Sequence, residues 1–171
     1  MNLQSVDAKT MTPEIFRVFG TQHALLTAGD RTHCNTMTIG WCQLGQLWSR
    51  PVCTVYVRPE RYTFEWLEDQ DYFTVSVLPD ALQDVLQFCG THSGRTVDKV
   101  QKCGLTVQYG PGDAPFFEEA EWVLVCKKIY AQDLHPDCVT DGAGILSYYG
   151  ENGGWHRGYT GEVVAAYQRK S

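Results

Sequence analysis

The sequence lacks, first of all, any sign of paired cysteines. Its seven, at positions 34, 42, 53, 89, 103, 126 and 138, form no C-x-x-C motif and share no zinc-type spacing with the histidines, so no metal centre is expected. Their number is odd, and Cys53 (PVCTVYV) and Cys126 (WVLVCKK) lie in apolar runs. Both facts imply reduced, buried thiols in a reducing compartment. A basic run is also missing: 14 Lys and Arg stand against 20 Asp and Glu, a formal net charge of -6. Phosphate backbones demand a cationic surface, so general nucleic-acid binding is disfavoured and any bound anion must be held by a local cluster. No stretch approaches the ~20 apolar residues of a membrane span. The opening MNLQSVDAKTMTPEIF has no basic segment followed by an apolar core. A soluble, cytoplasmic protein with no membrane partner is the expectation. Internal repeats, low-complexity tracts and linkers are absent too, and 171 residues are read as one domain, 1–171.

What is present is a turn-rich globular composition, 43% hydrophobic and 12% aromatic with 16 glycines. HALLTA (23–28), residues 33–43, PVCTVYVR (51–58), DYFTVSVL, LTVQY, the long run FFEEAEWVLVCKKIYAQDL and the closing YTGEVVAAYQ have strand character. TFEWLE has the spacing of a short helix. Asp80 is placed to cap ALQDVLQFCG up to Gly90, and TVDKVQKCG predicts another helix ending at Gly104. Six or so strands in a meander with two or three short helices predict a mainly β fold, a β-barrel with helical insertions, and not the strand and helix alternation of a doubly wound sheet. GAGILS (142–147) contains G-x-G but follows no strand and opens no convincing helix, so it is not read as a dinucleotide site.

Three segments carry groups suited to a phosphate-bearing ligand. In NTMTIG, Asn35, Met37 and Ile39 alternate with Thr36 and Thr38, so one face can present hydroxyls while the other enters the core. In RPERYT, Arg58 and Arg61 precede Tyr62 and Thr63 where a strand leads into a helix; guanidinium forks match phosphate oxygens, and a helix N-terminus adds free N–H groups. In THSGR, Ser93, Gly94 and Arg95 form a small-residue turn, with Lys99 one turn on. Each segment alone also fits an ordinary surface turn or edge strand. Together they gather hydroxyls and cations in an acidic chain, which favours a bound anion.

The order N-T-M-T-I-G-W, S-R-P-V-C-T-V-Y-V-R-P-E-R-Y-T-F-E, D-Y-F-T-V-S-V-L, C-G-T-H-S-G-R-T-V-D-K resembles the flavin reductase-like family, the FMN-binding split barrels related to flavoredoxin. The likeness runs from about His23 to Leu105 and, more loosely, through W-H-R-G-Y-T-G-E-V. It implies a six-stranded FMN-binding split barrel of Greek-key type that forms a homodimer, with one FMN per subunit near the dimer interface. It implies that Asn35, Thr36, Met37 and Thr38 lie along the flavin, that Arg58, Arg61, Tyr62 and Thr63 hold the phosphate end, and that Ser93, Gly94, Arg95 and Lys99 form a second anion-binding turn. Thr36 and Gly40 depart from relatives, many of which carry Ala or Val at the first position and Ser at the second. The implied activity is that of an FMN-dependent oxidoreductase passing electrons from NADH, NADPH or another small-molecule donor to flavin or a small acceptor. Two alternatives stay open: a non-enzymatic FMN electron carrier, and a barrel holding another ligand such as haem or a pyridoxal-type phosphate. Catalytic residues are not specified. His33 and Cys34 read more readily as a surface histidine and a partly buried structural cysteine than as a redox pair, whereas His156 reads equally as a strand-capping group or as a neighbour of the flavin.

Overall fold

Alternate residues of the central strands enter two separate cores, and this period of two organises the molecule. The computed structural model describes residues 2–149 and 154–170. The strands are β1 (Leu3–Val6), β2 (Ala24–Gly29), β3 (Cys34–Ile39), β4 (Cys42–Leu47), β5 (Arg50–Val57), β6 (Tyr72–Val77), β7 (Val107–Tyr109), β8 (Pro115–Phe117), β9 (Trp122–Asp133) and β10 (Arg157–Arg169). The helices are α1 (Ile15–Arg17), α2 (Tyr62–Asp69), α3 (Gln83–Thr91), α4 (Lys99–Cys103) and α5 (Gly142–Leu146). Leu26, Met37, Val55, Val75, Leu124 and Tyr159 pack into the first core. Leu25, Val123 and Val125 face the second, under Leu86 and Cys89 of α3 and Phe116 and Phe117 of β8. With both faces covered, the central strands read as nearly continuous apolar runs.

The large sheet is antiparallel throughout, in the order β3-β2-β6-β9-β10-β5-β4, with β1 added along the end of β10. The two ends of that path, β3 and β4, are joined by Gly40 and Trp41 alone. Three Cα steps span at most about 11 Å, so the sheet must curl until its edges meet at a corner, and no ladder joins β3 to β4 among the described residues. The result is a split barrel. Its bend shows in β10, where the register slips beside Gly161. A Cβ there would sit 2.6 Å from that of Cys126 and 2.8 Å from the Phe73 ring, so glycine permits the close approach.

The mainly β barrel with helical insertions is thus observed, with several differences in detail. Residues 33–43 run from β3 across the Gly40 corner into the first two residues of β4, whose remainder, like β1, has no counterpart in the sequence reading. Asp80 opens a 3-10 turn, Asp80–Leu82, instead of capping α3, which runs through Gly90 to Thr91. The run from Phe116 divides into β8 and β9 around a turn. GAGILS does open a helix, the five-residue α5, but after a 3-10 turn and not a strand. Asp98 and Gly104 do bound α4, Asp98 by accepting from the Gln101 N–H and Gly104 by its left-handed backbone. All seven cysteines are free thiols. No helix among the described residues is long and apolar enough to cross a membrane.

Candidate functional site

The site lies where β3, the start of α2 and the turn between α3 and α4 converge. The Asn35 amide donates to Thr63 Oγ1 at 2.7 Å, and both side chains are buried, at 5% and 1% exposure. Gly94 makes this contact possible, because a Cβ there would fall 1.9 Å from Asn35 Oδ1. Arg61 Nη2 donates to the Gly90 carbonyl at 2.9 Å, tying the entry of α2 to the end of α3. Lys99 Nζ donates to the carbonyls of Thr36 (2.7 Å) and Cys89 (2.9 Å), joining α4 to β3 and α3.

Around these contacts is a cavity of about 230 Å³ lined by Asn35, Met37, Arg61, Tyr62, Thr63, Ser93, Gly94 and Lys99, together with Glu60, Thr91 and His92. Residues from three distant segments therefore meet at one surface. Lys99 is 5% exposed. Neither it nor Arg61 pairs with a carboxylate among the described residues. Burial first, and the Arg61 charge after it, hold the Lys99 ammonium below the usual lysine range. Two neighbouring cations bonded only to carbonyls leave positive charge uncompensated, and an anion would supply the missing partner. The first turn of α2 points the same way, since no side chain caps its free N–H groups.

Four other expected site residues lie differently. The Thr36 hydroxyl is spent inside the sheet, accepting from Thr27 Oγ1 at 2.9 Å and donating to the Leu26 carbonyl at 3.2 Å. Thr38 donates to the Leu86 carbonyl at 2.5 Å, fastening α3 to the barrel. The cavity-facing side of NTMTIG is therefore that of Asn35 and Met37, and the two threonine hydroxyls go to structural bonds. Arg58 turns away, donating to the Tyr148 carbonyl at 3.2 Å and standing 3.6 Å from the Glu60 carboxylate. Arg95 pairs with Glu65 and covers the Tyr62 ring. Glu60 lining the cavity was not anticipated; its place follows from the path of the RPER loop, which side-chain chemistry alone does not specify.

Of the remaining groups, Cys34 has its thiol pushed up to about 11, by burial first and then by Asp98 and Asp30. It is therefore a thiol and not a nucleophilic thiolate at neutral pH. His156 accepts or donates at 3.0 Å with the Tyr149 hydroxyl and lies 4.4 Å, centroid to centroid, from Trp41. Burial, and then the Arg58 charge, push its pKa down to about 4, so the ring is neutral at physiological pH.

The profile of the flavin reductase like domain matches residues 16–171, and the chain belongs to that family. Among solved structures, flavoredoxin from Methanosarcina acetivorans superposes with a TM-score of 0.70 at 23% identity, covering 87% of this chain and 69% of its own. The FMN-binding protein from Thermus thermophilus, solved with p-hydroxybenzaldehyde, gives 0.69 at 21% identity, covering 98% and 83%. The NADH:FAD oxidoreductase of Streptomyces globisporus C-1027 gives 0.65 at 21% identity, covering 88% and 76%. At such identities these structures establish the fold. No curated protein sequence matches the chain.

Proposed function

We propose that the chain binds FMN through the cavity between Asn35, Arg61, Thr63, Ser93 and Lys99, and works as an FMN-dependent oxidoreductase of the flavin reductase type. The observation that carries this reading is the pair of carboxylate-free cations, Arg61 and Lys99, at one cavity with two hydroxyls and an uncapped helix start. A phosphate ester fits that donor set, whereas a neutral ligand would leave the charge unmet. Bound FMN accepts hydride or single electrons at its ring. Lys99 and Arg61 hold the anionic end, Asn35 fixes the Thr63 hydroxyl toward it, and Gly94 lets the backbone approach. Thr38 and Thr36 act at a distance by fixing β3 against α3 and β2.

A nicotinamide nucleotide is the favoured donor, and flavin or a small molecule the acceptor. The absorption spectrum of the purified protein, followed by anaerobic NADH and then NADPH, tests this. Flavin bands that bleach promptly support a reductase. Bands that persist until dithionite is added indicate an electron carrier, and a protein that stays colourless after incubation with FMN refutes flavin binding. The seven free thiols support a reducing, cytoplasmic setting.

The chain is also proposed to act as a homodimer. Phe16, 95% exposed, lies beside Ile15, Trp41 and Leu134 on a groove of about 480 Å³, an apolar surface a second copy would cover. Sedimentation as a monomer with FMN fully retained would overturn this.

A further inference from the structure

His23 holds a backbone conformation that side chains avoid. Its φ is 70° and its ψ 172°, a region entered almost solely by glycine, and strain of this kind gathers at functional sites. The residue closes a single π turn, Val18–Gln22, by donating its N–H to the Val18 carbonyl, and leads into β2. Its ring is seated against the Gly40 corner, where a Cβ would fall 2.7 Å from His23 Cδ2. The residue is half-buried, and among the described residues neither ring nitrogen has a hydrogen-bond or ion-pair partner.

The ring lines a cavity of about 530 Å³ together with Thr38, Gln83, Leu86, Gln87, Gly90 and Thr91. Thr91 also lines the 230 Å³ cavity, so the two adjoin. Their chemistry differs, because no carboxylate, lysine or arginine lines the larger one. The Thr38 and Thr91 hydroxyls are spent on the Leu86 and Gln87 carbonyls, and Gln83 donates to the Gln22 carbonyl at 3.2 Å. The His23 ring and the Gln87 carboxamide are thus the donors left without a partner, at an uncharged space whose volume suits a small organic molecule.

We propose that this cavity seats the electron acceptor, an uncharged quinone, and that His23 is the catalytic residue that protonates it. The proposal rests on the flavin reading above and adds to it the acceptor class and the proton donor. An ionic acceptor would find no counter-charge here, whereas quinone carbonyls are neutral before reduction and gain negative charge during it. Donors placed where charge develops favour that change, and imidazole carries and releases a proton near neutrality. The quinone gains a hydride from reduced FMN at one oxygen and a proton from His23 at the other. Both C=O bonds become the C–O bonds of a hydroquinone, the FMN is left oxidised, and His23 regains its proton from water.

Duroquinone is the probe, because its fully methylated ring resists addition of the free thiols. Titrated into protein loaded with oxidised FMN, it should bind saturably by calorimetry and shift the imidazole NMR signal that His23→Gln removes. After stoichiometric reduction, stopped-flow reoxidation by duroquinone should be at least about tenfold slower in His23→Gln, measured as a ratio to reoxidation by ferricyanide, an anion that takes up no proton. Gly40→Ala, which drives a methyl against the ring, should lower the same ratio. FMN uptake without duroquinone binding, binding that leaves the His23 signal unmoved, or equal slowing with both acceptors overturns the inference and leaves the flavin reading standing. Failure to take up FMN overturns both. Should His23→Gln fold poorly, the wild-type titration and Gly40→Ala still decide.

Discussion

Replacing Arg61 with alanine separates a phosphate contact from every other way of holding a flavin. The side chain is half-buried, makes one hydrogen bond of 2.9 Å to the Gly90 carbonyl, and lies close enough to Lys99 to lower its pKa. Its removal takes away one of two cations at the cavity and leaves the fold largely intact, because the freed carbonyl sits at the end of α3 where water can reach it. A charge-assisted hydrogen bond is worth about 1.5–3 kcal/mol. At about 1.4 kcal/mol per tenfold, FMN affinity should fall by about tenfold to hundredfold. Riboflavin has the same ring and ribityl chain without the phosphate, so its affinity should change by less than about twofold. Fluorescence quenching of each flavin by wild-type and Arg61→Ala apo-protein measures both, and the FMN loss should shrink as salt rises. Equal losses for FMN and riboflavin, or no loss for either, would refute the phosphate assignment.

Three more outcomes follow from the same geometry. Gly94→Ala places a methyl where Asn35 Oδ1 lies 1.9 Å away, so it should break the Asn35–Thr63 bond and weaken FMN binding by at least tenfold while the far-ultraviolet circular dichroism stays unchanged. FMN at a hundred times its Kd should stabilise the apo-protein by about 2.7 kcal/mol, a rise of roughly 5–11 °C in Tm for a chain of this size, and riboflavin at the same concentration clearly less; equal shifts would count against charge compensation. His156 is protonated near 6.5 when unfolded and near 4 when folded, so the unfolded chain binds the extra proton between those values. Stability should therefore fall as pH drops from about 6.5 to about 4, and His156→Gln should flatten that part of a pH series of denaturation midpoints.

The barrel was legible in the sequence because its central strands are short, β-branched and bounded by turns, as in DYFTVSVL and PVCTVYV. What escaped notice were elements set by tertiary contacts. β4 carries the weakly patterned CQLGQL and forms only because β5 offers it an edge, and β1 does so against the end of β10. The same limit applies to the site. The phosphate-seeking side chains are visible as residue types, and Asn35, Arg61, Thr63, Ser93 and Lys99 do meet. Which face of NTMTIG turns toward them depends on a pleat whose phase the sequence leaves open, since both faces of β3 are buried. Arg58 and Arg61 are chemically alike, and only the helix that begins at Tyr62 separates their destinations.

That separation is itself a physical argument for where the anion goes. In a chain of net charge -6 most arginines find a carboxylate: Arg17 with Glu14, Arg31 with Asp113, Arg50 with Glu162, Arg95 with Glu65, Arg157 with Asp133 and Glu68, and Arg58 with Glu60. Lys128 bonds to the Leu67 and Glu68 carbonyls in the last turn of α2, and Arg169 to the Glu118 and Ala120 carbonyls between β8 and β9. Arg61 and Lys99 do the same, but they do it together, at a shared cavity, with Lys99 almost wholly buried. Burying a charge without a counter-charge costs several kcal/mol, and placing a second cation beside it raises that cost. A sequence with 20 acidic residues could have neutralised either one. That neither pairs with a carboxylate among the described residues supports the proposal that their partner comes from outside the protein, and the hydroxyls of Thr63 and Ser93 beside them suit an oxyanion small enough to be gripped from several sides at once.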